Sequence, residues 1–189
     1  MPVRFQHTPQ SNTLYFISFT CHKWINLFSI TNAYDTVYKW FDYLYANNHR
    51  IAGYVIMPNH IHALLYFNKI SKPLNIYISN GKRFMAYEII KRLEVEKKFK
   101  LLENLHESVK ATEKKKGQRH KVFKDSFDAK ECYTTKFIFQ KLEYIHKNPI
   151  SKKWKLINDY TEYPYSSAAF YEKGIPHYDK LLHVNELLS

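Results

Sequence analysis

Two apolar segments joined by a two-residue spacer constrain the fold of this chain more than any other feature. The segments HRIAGYVIM (residues 49–57) and HIHALLYF (residues 60–67) are separated only by Pro58 and Asn59. Both spacer residues are typical of turns between strands. The sequence therefore predicts an antiparallel β-hairpin with its turn at Pro58-Asn59.

The other elements are predicted from hydrophobic periodicity and from helix-boundary residues. The alternating stretch NTLYFISFT predicts a strand over residues 13–20, and SITNAYDTVYKWFDYLYANN predicts a helix of about 15 residues capped by Thr31 or Asn32. Beyond the hairpin, the expected elements are a long helix over residues 73–99, a strand in KVFKDSFD (121–128) and a helix in YTTKFIFQKLEYIHK (133–147) that ends before Pro149.

The order strand, helix, hairpin, helix, strand, helix predicts an α+β fold. We expect a ferredoxin-like arrangement, in which helices cover one face of a mainly antiparallel sheet. Residues 1–189 contain no internal repeat and no linker. We therefore expect a single domain, with a basic insertion around residues 94–120.

The composition favours a nucleic-acid partner. The net charge is +12, and the chain contains 16 Tyr and 13 Phe. Basic groups attract a polyanion and aromatic rings can stack on bases, although a merely basic soluble protein has the same composition. The sequence contains no GxxxxGK[ST] or GxGxxG motif, which argues against a P-loop nucleotide-binding enzyme.

Membrane attachment and secretion are not expected. No apolar run reaches the roughly 20 residues of a spanning helix, and the N-terminal stretch MPVRFQHTPQ does not resemble a signal peptide. The two cysteines, Cys21 and Cys132, are far apart and are expected to be free thiols. We therefore expect a cytoplasmic protein, present as a monomer or homodimer and associated with the nucleoid when bound to DNA.

The stretch from Lys91 to Lys124 is the most charged part of the chain. It holds 12 Lys and Arg residues against 5 Asp and Glu residues, so it contributes +7 (12 − 5) of the total +12. Direct contact with nucleic acid and an exposed, solvated loop are equally compatible with this pattern. The residues expected to contact DNA are Lys82, Arg83, Lys114, Lys115, Lys116, Arg119, Lys121 and Lys141.

The second arm of the hairpin begins with the pair His60 and His62. Residues two apart in a strand point to the same face of a sheet, so both imidazoles project side by side. Two neutral imidazoles in this position can converge on one metal ion. They can equally be ordinary polar residues on a solvated face.

The helix that ends before Pro149 has two distinct faces at about 100° per residue. Ile138, Leu142 and Ile145 fall within one narrow arc and are expected to face the core. Tyr144 and Asn148, four residues apart, lie one above the other on the opposite side.

Three motifs in this order resemble a known family. MPNHIHALL (57–65), LEYIHKNP (142–149) and YPYSSAAFY (163–171) together resemble the REP-associated tyrosine transposases, which are single-tyrosine HUH (His-hydrophobic-His) nucleases. The resemblance extends from about Leu14 to Tyr171. It implies a ferredoxin-like HUH domain with the catalytic tyrosine on a C-terminal helix, although relatives also include domesticated host proteins that retain the fold.

The resemblance also implies a role for each matched residue. His60 and His62 take the places of the metal-binding histidines, Tyr144 that of the nucleophile, and Asn148 that of a third ligand. The implied reaction is cleavage and rejoining of single-stranded or hairpin DNA through a 5′-phosphotyrosine intermediate. Two imidazoles and an amide favour zinc or another late transition metal by ligand softness. The resemblance favours Mg2+ or Mn2+ instead, of which Mn2+ suits histidine better.

Overall fold

The computed structural model describes residues 12–68 and 72–188. The N-terminal stretch for which no signal peptide is expected lies outside these residues. The strands are β1 (Thr13–Thr20), β2 (Arg50–Met57), β3 (His60–Phe67) and β4 (Asp128–Glu131). The helices are α1 (Leu27–Ile30), α2 (Asp35–Ala46), α3 (Leu74–Val95), α4 (Phe99–Glu107), α5 (Ala111–Lys114), α6 (Thr135–His146), α7 (Ala168–Lys173) and α8 (Asn185–Leu188).

The four strands form one antiparallel sheet in the order β2-β3-β1-β4. This order, with β3 between β1 and β2, is the ferredoxin-like arrangement predicted from the sequence. The predicted first strand is confirmed, and so is the hairpin, in which Pro58 and Asn59 separate β2 from β3. His60 and His62 lie opposite Thr20 and Ser18 of β1.

Helices cover both faces of the sheet, so the expectation that they cover one face was wrong. One apolar cluster joins alternate residues of the strands to α2 and α3. A second cluster, on the opposite face, joins Leu64 of β3 to Ile138, Leu142 and Ile145 of α6. The physical reason lies in the sequences of β2 and β3, which are almost continuously apolar and are buried along nearly their whole length.

The predicted helix capped by Thr31 or Asn32 corresponds to α2, which begins only at Asp35, and the short helix α1 before it was not predicted. Asn32 has a φ of 47°, which an α-helix cannot accommodate, and it separates the two helices. Thr31 does not cap the N-terminus of α2; its hydroxyl donates a hydrogen bond back to the carbonyl of Leu27, at 2.7 Å. The long helix α3 agrees with the prediction but ends at Val95.

The segment KVFKDSFD does not form the predicted strand, because β4 begins only at Asp128. Phe123 makes a single isolated bridge to Cys21 of the chain after β1. Ion pairs and separate backbone hydrogen bonds hold the segment instead, among them the bond from the N–H of Lys124 to the carbonyl of Thr20, at 3.0 Å. Lys121 forms ion pairs with Glu113 (2.6 Å) and Asp125 (2.9 Å).

The C-terminal motif YPYSSAAFY lies along the free edge of β2. The backbone N–H of Ile56 donates to the carbonyl of Tyr165 at 2.8 Å, and that of Ser167 donates to the carbonyl of Tyr54 at 2.9 Å. The motif therefore covers backbone groups that an edge strand would otherwise expose. In the described part of the chain, no helix is long and apolar enough to cross a membrane.

Candidate active site

The end of β3 next to the hairpin turn and the C-terminal end of α6 bring together all four residues of the predicted catalytic and metal site. Thr134 caps α6 by accepting a hydrogen bond from the backbone N–H of Phe137. The apolar face of α6 then packs on the sheet, as predicted. This packing places Tyr144 beside His62, with a distance of 3.5 Å between the phenol oxygen and Nε2.

The two histidines are buried rather than on a solvated face. Their exposed fractions are 4% for His60 and 7% for His62, and their ring centroids are 4.7 Å apart. Phe16 of β1 stacks on the ring of His62 and meets the ring of Tyr144 edge-on. These contacts hold the histidine pair and the phenol in one aromatic cluster.

Asn59 fixes the orientation of His60. Nδ2 of Asn59 donates to the carbonyl of Trp24 at 2.7 Å and to Oδ1 of Asn26 at 3.0 Å. The other amide atom of Asn59, its Oδ1, therefore faces Nδ1 of His60, at 2.8 Å. A carboxamide oxygen only accepts, and therefore Nδ1 of His60 carries the proton. Nε2 is left with a lone pair that can bind a metal ion or accept a hydrogen bond.

Both imidazoles are neutral near pH 7. Burial, together with the nearby ammonium of Lys153, lowers the pKa of His60 to about 4. Burial, together with His60 and Lys141, lowers the pKa of His62 to about 3. Neutral imidazole is the form that binds metal ions.

Two buried polar atoms at this site have no hydrogen-bond partner among the described residues. They are Nδ1 of His62 and Oδ1 of Asn148. Buried polar atoms are rarely left without a partner, and at functional sites they often face a ligand. The side chain of Asn148 also interacts with His60, so the amide and both imidazoles converge.

This donor set fits a divalent ion only in part. No group of three His, Cys, Asp or Glu side chains suitable for a metal occurs within residues 12–68 and 72–188. The protein can therefore offer two imidazoles and an amide oxygen. A hard ion such as Mg2+ would need further oxygen ligands, which a DNA phosphate can supply.

The predicted DNA-contacting residues lie in different parts of the structure. Lys141 lies at the site itself, with its ammonium 4.8 Å from the ring centroid of Phe16 and 5.7 Å from that of Tyr144. A groove of about 850 Å³ lies between α3 and residues 116–125, on the side of the sheet that α2 and α3 cover. This α3 groove is lined by Arg83, Tyr87, Lys91, Lys116, Arg119 and Lys124, among others.

The remaining predicted contacts differ in how available their charges are. Lys114 and Lys115 are exposed on and just after α5. Lys82 donates to the carbonyls of Lys124 (2.6 Å) and Asp125 (3.2 Å), and burial lowers its pKa to about 8. Lys121 is buried in its two ion pairs. Both ammonium groups thus have partners within the protein.

Some residues of this site were not found from the sequence. Asn59 was interpreted only as a turn residue, and Phe16 only as part of a strand. The position of Asn59 directly before the histidine pair was the one available signal for its role. The contacts of Trp24 and Trp154 with His60 (ring centroids 5.9 and 5.6 Å apart) join segments that are distant in sequence.

Comparison with known proteins gives a match at the level of structure. No family model and no curated protein matches the sequence. Among solved structures, the fold is similar to that of a REP-associated tyrosine transposase bound to a REP hairpin, with a TM-score of 0.60 and 13% sequence identity. The match covers 93% of this chain and 89% of the other. This chain therefore has, over nearly its whole length, the fold of a REP-associated tyrosine transposase.

Proposed function

We propose that this protein is a transposase that cleaves and rejoins single-stranded or hairpin DNA, with Tyr144 as its nucleophile. The observation that carries the proposal is the convergence of the Tyr144 phenol with two buried, neutral histidines and the unpartnered Oδ1 of Asn148. The similarity in fold to a transposase bound to a DNA hairpin supports the same partner class.

In the proposed reaction, the phenol oxygen of Tyr144 attacks a phosphorus atom of the DNA backbone. The bond from phosphorus to the 3′-oxygen breaks, the phenol loses its proton, and the 3′-oxygen takes one up. The products are a 5′-phosphotyrosine and a free 3′-hydroxyl. The ester retains the energy of the broken bond, so a second 3′-hydroxyl can reverse the step without ATP.

The protein side chains would have distinct roles in this reaction. Phe16 orients the phenol and His62 by ring contacts, and Asn59 sets the tautomer of His60. The ammonium of Lys141, which lies over the ring of Tyr144, can contact a phosphate next to the one attacked. Mg2+ or Mn2+ held by His60, His62 and Asn148 would neutralise phosphate charge and stabilise the leaving oxygen.

Incubation of the protein with labelled single-stranded DNA from beside its gene, in the presence of Mn2+, tests the proposal on a denaturing gel. We expect a covalent protein–DNA band that disappears when the ion is chelated. His60→Ala and His62→Ala should each lose the band at the same Mn2+ concentration, whereas His177→Ala, which changes an exposed histidine, should retain it. A full band in either site variant would contradict a metal role for that histidine.

The second candidate function is a catalytically silent DNA-binding protein with the same fold. The observation that favours it is the weak donor set, in which the third protein ligand is an amide rather than a carboxylate or a histidine. Wild-type protein that binds the strand but forms no covalent band with Mg2+ or Mn2+ would support this alternative.

A further inference from the structure

We propose that Trp24 is a stacking platform for an unpaired DNA base next to the scissile phosphate. This inference rests on the proposed function. It assigns a binding role to a side chain that the sequence motifs do not include.

The ring of Trp24 is exposed to solvent at the edge of the candidate site. It is 46% exposed, and its centroid lies 5.9 Å from that of His60, in an edge-on arrangement. Large aromatic rings that stay this exposed contribute little to the core. The position of this exposed ring beside the candidate site makes it available to a bound strand.

The backbone that presents this ring is strained. Lys23 and Trp24 have φ values of 50° and 59°, a left-handed conformation that residues other than glycine rarely adopt, and still more rarely twice in succession. Strain of this kind persists when surrounding contacts enforce it, and it is common at binding sites. Here Asn59 enforces it, because the same side chain binds the carbonyl of Trp24 and the ring of His60.

Two ammonium groups lie over the ring of Trp24. The Nζ atom of Lys153 is 4.2 Å from the ring centroid and that of Lys124 is 4.5 Å from it. Neither ammonium forms an ion pair within residues 12–68 and 72–188. A base can therefore stack on the face of the ring while each ammonium moves to a neighbouring phosphate. Single-strand binding sites combine stacking and phosphate contacts in this way.

Lys124 also lines the α3 groove. The platform therefore connects that basic groove, on one side of the sheet, with the histidine pair on the other side. A DNA strand that runs from the groove to the site must cross the end of the sheet where β1 ends and β3 begins. Trp24 lies directly after this end of β1.

The test compares two labelled strands of about 16 nucleotides, oligo(dT) and an abasic strand of equal length and charge, by fluorescence anisotropy. The measured quantity is the ratio of the Kd for the abasic strand to the Kd for oligo(dT). We expect this ratio to fall about 5- to 150-fold in Trp24→Ala. Trp24→Phe should keep most of the ratio, because a smaller ring still stacks.

Tyr45→Ala is the matched control. Tyr45 is also an exposed ring with two cations over it, Arg50 and Lys180, but it lies near the opposite end of β2. Its removal should leave the ratio unchanged. An unchanged ratio in Trp24→Ala would overturn the platform while leaving the proposed function intact, provided that the Mn2+-dependent covalent band persists. A wild-type protein that binds both strands with equal affinity would also overturn the platform, whereas only the absence of the Mn2+-dependent covalent band would overturn the proposed function.

Discussion

At the scale of single residues, the hydrogen bonds of Asn59 decide which nitrogen of His60 is available. Both of its amide hydrogens point toward oxygen acceptors, so its own oxygen receives the Nδ1 proton of the imidazole. Partners of this kind orient a metal-binding histidine and raise its basicity. The role of Asn59 is therefore positioning, since it acts through His60.

Asn59→Ala should raise the Mn2+ concentration needed for half-maximal formation of the covalent band by about 10- to 100-fold. The reason is that His60 loses the group that fixes its tautomer and ring orientation. A titration of band intensity against Mn2+ measures the effect, with Asn158→Ala, at an exposed position, as the control. An unchanged midpoint would show that the tautomer of His60 does not depend on Asn59.

His49 makes stability depend on pH. Its ring is buried against Phe67 and Tyr77, and burial, together with nearby Arg50, lowers its pKa to about 4 from an ordinary value of 6.5. Its contribution to stability is therefore fully present above pH 6.5 and is lost as the pH falls toward 4, because the unfolded chain takes up the proton first.

His49→Phe should remove the share of this dependence that His49 causes, on the order of 2 kcal/mol of unfolding free energy between pH 7 and roughly pH 5. His60, His62 and His146, whose pKa values burial also lowers, cause the same kind of loss in both proteins, so the difference between wild type and variant is the quantity compared. Urea unfolding at pH 7 and at roughly pH 5 measures it. The exposed His177→Phe serves as the control and should unfold with the wild-type pH dependence. If His49→Phe loses as much stability as the wild type on acidification, other groups cause the loss.

At the residue scale, the four side chains that converge at the candidate site were named from the sequence, and their environment was not. His60, His62, Tyr144 and Asn148 were assigned from the resemblance of three motifs in their order. The partners of Asn59 were not predictable, because one of them is the carbonyl of Trp24, which belongs to a strained turn without a glycine. Sequence patterns carry no signal for such a turn.

At the scale of elements, the site is positioned by helices that pack closely against the sheet. Gly53 of β2 lies under α6, and a Cβ atom there would be 2.7 Å from Cδ1 of Leu142. The inward face of α6 was predictable from its periodicity. The side of the sheet that it covers was not, because β2 and β3 are apolar on both faces and periodicity along α6 does not distinguish them.

Gly81 of α3 gives the clearest test of helix packing. A Cβ atom there would lie 2.5 Å from Nε1 of Trp40, whose ring is buried and donates to the carbonyl of Tyr77. Helix propensity alone predicts that Gly81→Ala stabilises the protein by about 1 kcal/mol. We expect the opposite sign, a loss of about 1–3 kcal/mol, because the rigid ring cannot yield.

Thermal or urea unfolding of Gly81→Ala decides between these signs. Ser79→Ala, on the exposed side of the same helix, is the control and should be neutral or slightly stabilising. If Gly81→Ala is more stable than the wild type, α2 and α3 can move apart without loss of packing energy.

At the scale of the whole molecule, the stretch from Lys91 to Lys124 contributes +7 of the net charge of +12, and part of it lines the basic α3 groove. Arg83 of α3 was expected from the sequence to contact DNA, as were Lys114, Lys115, Lys116 and Arg119. In the structure, Arg83, Lys116 and Arg119 line one groove. The groove itself was not predictable, because it forms between a helix and a segment that ion pairs and backbone hydrogen bonds hold in place.

Replacement of Lys114, Lys115 and Lys116 together by Ala should reduce the salt dependence of single-strand binding. Each lost phosphate contact removes roughly 0.7 from the log–log slope, so the change should reach up to about 2 units. Anisotropy titrations over a range of salt concentrations measure the slope. Of the replaced residues Lys116 lines the α3 groove, and Lys114 and Lys115 are exposed directly before it. Lys97, Lys98 and Lys100 are also exposed but none of them lines the groove, so their triple Ala variant is the charge-matched control.

Equal slopes in the wild type and in the Lys114–Lys116 variant would show that these lysines do not contact the DNA backbone. Sequence preference should barely change in either variant, since phosphate contacts position DNA and base contacts specify it.

The identity of the tyrosine that becomes attached to DNA tests the central claim most directly, because the chain contains 16 tyrosines. The covalent complex formed with Mn2+ can be digested with protease and nuclease, and the modified peptide located by mass spectrometry. We expect a nucleotide on Tyr144 alone, and Tyr144→Phe should abolish the adduct while strand affinity stays within a few-fold of wild type. A nucleotide on another tyrosine, or an undiminished adduct in Tyr144→Phe, would contradict that claim.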